Sequence, residues 1–101
     1  MALHPDFLAI LPTILDVLGK GNVRSAYVFG SACTDRFRET SDIDLFVEID
    51  DSDVDRYVKE WWRIYFELED RTDRSIDLLT QNNLGNRFFR QEVMETRERL
   101  V

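Results

Sequence analysis

Nothing in this 101-residue chain approaches the ~20 consecutive apolar residues needed to cross a bilayer, so no membrane partner is expected. A single cysteine, Cys33, excludes an internal disulfide and any cysteine-built zinc site. The single histidine, His4, has no second histidine with which to form a metal pair, and reads as a surface residue. Basic residues are the minority: 13 Lys and Arg stand against 20 Asp and Glu, a net charge of −7. Nucleic-acid binding draws on a cationic surface that displaces counterions from phosphates, so no nucleic-acid partner is expected. Repeats, low-complexity segments and linkers are absent as well. Pro5, Asp6 and Pro12 interrupt any charged-then-apolar leader, which points to a cytoplasmic location. What remains is ordinary globular material, 44% hydrophobic, sufficient at this length for one core and one domain over residues 1–101.

Chemistry is concentrated in two short stretches. Val23 to Phe29 is rich in β-branched and aromatic residues and reads as a strand that stops at Gly30-Ser31. Further on, Ser41-Asp42-Ile43-Asp44-Leu45 opens a second strand running to Ile49. Successive side chains alternate across a strand, so Asp42, Asp44, Phe46 and Glu48 share one face, and Ile43, Leu45, Val47 and Ile49 the other. Two carboxylates side by side repel each other, and a divalent cation removes that repulsion. Mg²⁺ takes one or two carboxylates together with substrate phosphate oxygens. Gly30 allows a tight turn that brings backbone N–H groups near phosphate, and Ser31 adds a hydroxyl at the start of a short helix over 31–37. The pattern reads as a metal-phosphate site.

The remaining elements frame that pair. Residues 5–20 carry apolar positions at helical spacing, with Pro12 either kinking the segment or opening a helix over 12–20. Gly19, Gly21 and Asn22 are expected to end it in left-handed conformations. Asp53 caps a helix through about Glu69, with Val54, Val58, Trp61, Tyr65 and Leu68 as its apolar stripe. Arg56, Lys59, Glu60, Arg63 and Glu67 form its solvated side. Tyr57, Trp62, Ile64 and Phe66 widen the apolar arc to about 200°, roughly twice what a helix laid on one sheet buries. The two tryptophans read better as core, and helical spacing lets all these aromatics be core, but the flanks of that arc are candidates for a protein interface, as are Arg87, Phe88, Phe89 and Arg90 on a terminal helix. Ser75 to Leu79 reads as a third strand with Asp77 facing away from Ile76 and Leu78, and Gln81 to Asn86 as a turn-rich loop.

The stretch from Tyr27-Val-Phe-Gly-Ser to Ser41-Asp-Ile-Asp-Leu-Phe-Val resembles the signature of the DNA polymerase β-like nucleotidyltransferase superfamily. It is more closely similar to the minimal nucleotidyltransferase (MNT) proteins, and Arg74-Ser75-Ile76-Asp77-Leu78-Leu79-Thr80 fits the third-carboxylate strand of that family. The resemblance implies an α/β (α+β) nucleotidyltransferase fold, a small mixed sheet with helices on one face and the metal site on the other. It implies transfer of a nucleoside monophosphate, AMP from ATP, to a hydroxyl acceptor. It further implies an antitoxin paired with a HEPN-type toxin that it adenylylates on a tyrosine, with a contact-only, non-catalytic antitoxin as the alternative. Asp42, Asp44 and Asp77 take the catalytic and metal-binding roles, with Mg²⁺ as two ions. Gly30, Ser31, Ser41 and Arg36 take the nucleotide. Many relatives read Ala-Arg-Gly where this chain has Cys33-Thr34-Asp35, so Arg36 is the candidate substitute for the missing arginine.

Each assignment has a plainer competitor. Cys33 reads better as a small core residue than as a nucleophile, since no base lies nearby in the sequence. Ser41 can cap a turn as readily as touch phosphate. Arg36 and Arg38, beside Asp35 and Glu39, can form surface ion pairs of little energy. Asp70 and Asp73 compete with Asp77 as third ligand. A second copy of the chain competes with a different protein for the apolar flanks.

Overall fold

The computed structural model describes residues 3–83 and 87–101, of which Asn83, residues 87–90 and Glu92 are described by their backbone alone. The elements run α1 (Pro5–Leu18), β1 (Val23–Phe29), a single 3₁₀ turn (Gly30–Cys33), β2 (Ile43–Ile49), α2 (Val54–Thr72), β3 (Ile76–Thr80), a second 3₁₀ turn (Gln81–Asn83), α3 (Arg87–Thr96) and β4 (Glu98–Arg99). The four strands form one mixed sheet in the order β3-β2-β1-β4. β1 pairs antiparallel with β2 and β4, whereas β2 and β3 run parallel. A parallel pair needs a long crossover, and α2 supplies it.

Strand alternation sorts the sheet into two faces. Ile43, Leu45, Val47 and Ile49 of β2 join Ala26 and Val28 of β1 and Ile76 and Leu78 of β3 in the main core, closed by Phe7, Ile14, Val17 and Leu18 of α1 and Ile64 and Leu68 of α2. The opposite face carries the aspartates and a smaller cluster of Phe29, Phe46 and Val93. α1 and α2 thus pack on one face, and α3 places Val93 on the other, beside the carboxylates.

Local expectations were met unevenly. α1 begins at Pro5 and runs through Pro12, which falls on the exposed side, where water reaches the carbonyl that loses its donor. Its end is not left-handed: Gly19 has φ −75°, and Gly30 is the one glycine with positive φ among the described residues. The N–H of Gly19 still satisfies the Leu15 carbonyl at 2.9 Å, closing the helix without a change of hand. His4 is the N-cap of α1, its Nδ1 accepting from the Asp6 N–H at 3.0 Å, and its ring lies against Phe37.

α2 starts at its Asp53 cap, whose carboxylate accepts from the Arg56 N–H, and ends at Asp73 in the left-handed region. Its buried line is not the expected one. Ile64 and Leu68 are fully covered and Glu60 is buried, whereas Val54 and Val58 face solvent. The helix is rotated because Glu60 receives the Asn22 N–H at 2.6 Å and the Arg63 Nε at 2.6 Å, while Arg63 also donates to the Val17 carbonyl. That network ties α2 to the α1–β1 turn. Gly21 leaves room for that network, since an added Cβ would lie 1.7 Å from Glu60 Oε2 and push the carboxylate from its place.

Candidate active site

β2 and β3 position the carboxylates. In their parallel register Asp44 lies opposite Asp77, with Ile43 opposite Ile76 and Leu45 opposite Leu78. Adjacent strands are ~4.8 Å apart, so Asp44 and Asp77 are lateral neighbours on one face. Asp42 immediately precedes β2, two residues before Asp44, and is exposed; Asp44 is half-buried and Asp77 exposed. The competitors lie elsewhere. Asp70 is on the outside of α2, and Asp73 is its left-handed C-cap.

β1 brings the Gly-Ser turn to the same place. Phe29 is the register partner of Asp44, so the chain leaves the sheet at Gly30 directly beside that carboxylate. Gly30 has φ +71°, and a Cβ added there would sit 2.2 Å from Asp44 Oδ2. Two independent constraints, handedness and space, require glycine. The expected helix over 31–37 is only the 3₁₀ turn Gly30–Cys33, because Thr34 donates both its N–H and its hydroxyl to the Ser31 carbonyl and ends it. So short a turn has little dipole, and any anion binding here draws on individual N–H groups and the Ser31 hydroxyl.

Ser41 and Arg74 build the approach to Asp42. The Ser41 hydroxyl accepts the Arg38 N–H at 2.8 Å, the turn-capping role. Arg74 donates from Nη1 to the carbonyls of Arg38 (2.8 Å) and Ser41 (3.1 Å), and its guanidinium lies 4.5 Å from the centre of the Phe37 ring. It clamps the loop that delivers Asp42. Sequence reading passed over Arg74; its one signal was adjacency to the Ser75–Leu79 strand. Arg36 is exposed, its N–H bound to Thr34 Oγ1, and among the described residues neither Arg36 nor Arg38 forms an ion pair.

Cys33 is half-buried against the core, with Sγ 3.6 Å from the Val28 carbonyl. Burial, then the nearby Glu98 and Asp44 charges, push its thiol up to about 11. It is held as a neutral thiol, the opposite of an activated nucleophile.

Among the described residues no three His, Cys, Asp or Glu side chains gather into a ready-made metal cage. The donor set is nevertheless one for a hard cation: the carboxylates of Asp44 and Asp77 on one face, with the exposed Asp42 just before β2, beside a turn at a residue with no Cβ. Mg²⁺ uses few protein ligands and completes its shell with water and phosphate, so it needs no closed cage. The residues present fit such an ion with a bound nucleotide. The side chains of the expected Arg87, Phe88, Phe89 and Arg90 interface lie outside the described residues, as do residues 84–86 of the expected loop.

Comparison with known proteins gives the family and the fold. Residues 13–101 match the family described as polymerase beta, nucleotidyltransferase. The chain is 34% identical over 71 residues to MJ0435 of Methanocaldococcus jannaschii, whose name gives it provisionally as a protein adenylyltransferase; the match covers 70% of this chain and 73% of that one. A tri-AMPylated Shewanella oneidensis HEPN toxin in complex with its MNT antitoxin is similar in fold, with TM-score 0.66 and 20% identity over 93% of this chain and 71% of that one. A toxin–antitoxin structure with AMP-PNP gives TM-score 0.66 and 20% identity over 92% of this chain and 71% of its own.

Proposed function

As this chain belongs to the polymerase beta nucleotidyltransferase family, we propose that it is a protein adenylyltransferase, moving AMP from ATP to a hydroxyl, a tyrosine of a HEPN-type toxin. The observation that carries this reading is the β2–β3 register, which sets Asp77 beside Asp44, with the Gly30-Ser31 turn alongside and Asp42 two residues before Asp44 in the chain. The 34% identical relative bears a protein adenylyltransferase name, and the fold is that of antitoxins solved with such toxins.

In this mechanism the acceptor oxygen attacks the α-phosphorus of ATP, the bond to pyrophosphate breaks, and pyrophosphate leaves in line. Asp42 and Asp44 would hold Mg²⁺, as one or two ions, with Asp77 completing the acceptor side. The metal supplies charge neutralisation at the attacking and leaving oxygens when bound. Asp77 takes the proton released by the acceptor hydroxyl. Ser31 and the backbone N–H groups of the turn orient phosphate oxygens, and Arg36 is the cation free to swing towards the triphosphate. The work is cytoplasmic, where ATP and Mg²⁺ are at hand.

The test is incubation with Mg²⁺, labelled ATP and a HEPN-type protein encoded beside this chain. Wild type should label a tyrosine of that protein. Asp44→Asn should lose Mg²⁺-dependent nucleotide binding by calorimetry, and Asp77→Asn should lower kcat with little change in KM. Label appearing only on a small molecule, or transfer surviving Asp44→Asn, would reject the reading. A stable complex that never becomes labelled would instead identify a contact-only antitoxin.

A further inference from the structure

The outer face of α2 carries an apolar ridge that the fold does not use. Val54, Val58, Trp62 and Phe66 follow one another at a spacing of four and remain 74%, 44%, 47% and 57% exposed. Twelve helical rises separate Val54 from Phe66, which makes the ridge about 18 Å long. A row at this spacing is the kind that lies in the groove of a second helix. Its rings are already held in place. Trp62 stacks on Phe66 at 5.2 Å and meets Trp61 edge-on at 4.8 Å, while Trp61 stacks on Tyr65 and donates its Nε1–H to the Leu78 carbonyl. Aromatic groups fixed before binding lose little freedom on binding.

Charge differs between the two ends of the ridge. Around Val54 and Val58 it is mixed, Asp55 standing with the exposed Arg56 and Lys59. At the other end, Phe66, Glu67, Glu69 and Asp70 line a hollow of about 540 Å³. Glu67 is paired with Arg63, whereas among the described residues Asp55, Glu69 and Asp70 form no ion pair. An aromatic wall beside two carboxylates suits a Lys or Arg head group.

We propose that this ridge docks an amphipathic helix of another protein, apolar along its centre and bearing Lys or Arg at the end that meets Phe66, Glu69 and Asp70. A second copy of this chain fits worse, because crossing antiparallel it brings a mixed segment, Asp55 with Arg56 and Lys59, against Glu69 and Asp70, where a helix bearing cations alone is the better match. The same carboxylates repel nucleic acid and anionic lipid. α2 covers the sheet face opposite the aspartates, so the docked helix sits on the far side of the sheet from the accepting hydroxyl. Docking is therefore separable from chemistry, and this inference stands whether or not the transfer reading does.

The experiment titrates the full chain with a synthetic Leu-Ala-Lys helix, its Leu at four-residue spacing and its Lys at one end, and with a twin carrying Glu for each Lys. Tryptophan emission should move to shorter wavelength and saturate with the Lys peptide, more weakly at high salt, and stay unchanged with the Glu twin. Phe66→Ala and Asp70→Lys should each weaken binding by about tenfold or more; both sites are exposed, and unchanged circular dichroism verifies their folds. Asp44→Asn should bind the peptide like wild type. An equal response to both peptides, or no response to either, overturns the proposal. So does sedimentation showing a dimer that Phe66→Ala disperses, which would make the ridge a self-association face.

Discussion

At the scale of single residues the site depends on contacts that tolerate almost no change. Gly30 packs against the Asp44 carboxylate with φ +71°, so Gly30→Ala introduces a left-handed residue, costing about 1–2 kcal/mol, and drives the carboxylate aside. The expected outcome is a folded protein, by circular dichroism, that has lost most of its Mg²⁺-dependent nucleotide binding. Arg74 acts one step further out, through the Arg38 and Ser41 carbonyls. Small misplacements of a reacting group are expensive, so Arg74→Ala should raise the Mg²⁺ concentration needed for half-maximal activity by about ten- to a hundredfold. Arg74→Lys should not restore it, because one ammonium cannot both span two carbonyls and stack on Phe37. A purely structural role would instead lower the melting temperature and leave the Mg²⁺ requirement alone.

At the scale of elements, α2 shows how a polar network overrides a hydrophobic pattern. Its sequence places Val54 and Val58 on the apolar stripe and Glu60 among the solvated residues, yet Glu60 is buried and the valines are exposed. Burial opposes ionisation of Glu60, but hydrogen bonds from Arg63 and the Asn22 N–H outweigh it and hold the carboxyl below its ordinary range. The rotated helix fixes which substitutions matter. Ile64→Ala should cost about 2–5 kcal/mol in urea unfolding, the range for a buried aliphatic truncation. Val54→Ala should change stability by no more than about 0.5 kcal/mol, as exposed positions do. Reversal of that order would place the wrong face of α2 in the core.

For the molecule as a whole, acidity shapes stability. Glu60, Glu67 and Asp16 are each held below the ordinary carboxylate range, Glu67 and Asp16 chiefly by hydrogen bonds from Arg63 and Arg71. Carboxyls lowered in the folded state stabilise it above their unfolded value, 4.5 for Glu60, and that contribution is lost as the pH falls through the folded value. Melting temperature should therefore be nearly flat between about pH 6 and 7 and fall below about pH 4.5. Glu60→Gln should be less stable at neutral pH and show a smaller acid-induced drop. An equal drop in wild type and variant would remove Glu60 from this role.

The sequence by itself determined the two strands of the signature and the outward facing of Asp44 and Asp77 between buried neighbours, because strand alternation is a local rule that the backbone cannot evade; Asp42 falls just before β2, outside the reach of that rule. The Gly30 turn was legible for the same reason, since few residues adopt its conformation. Tertiary structure decided everything that depends on which segments meet. Only the parallel register places Asp77, rather than Asp70 or Asp73, beside Asp44. Only folding brings Arg74 onto the Arg38–Ser41 loop, Asn22 onto Glu60, and α3 onto the face of the carboxylates. These contacts join residues far apart in the chain, and their energies come from burial and hydrogen-bond geometry that no local pattern encodes.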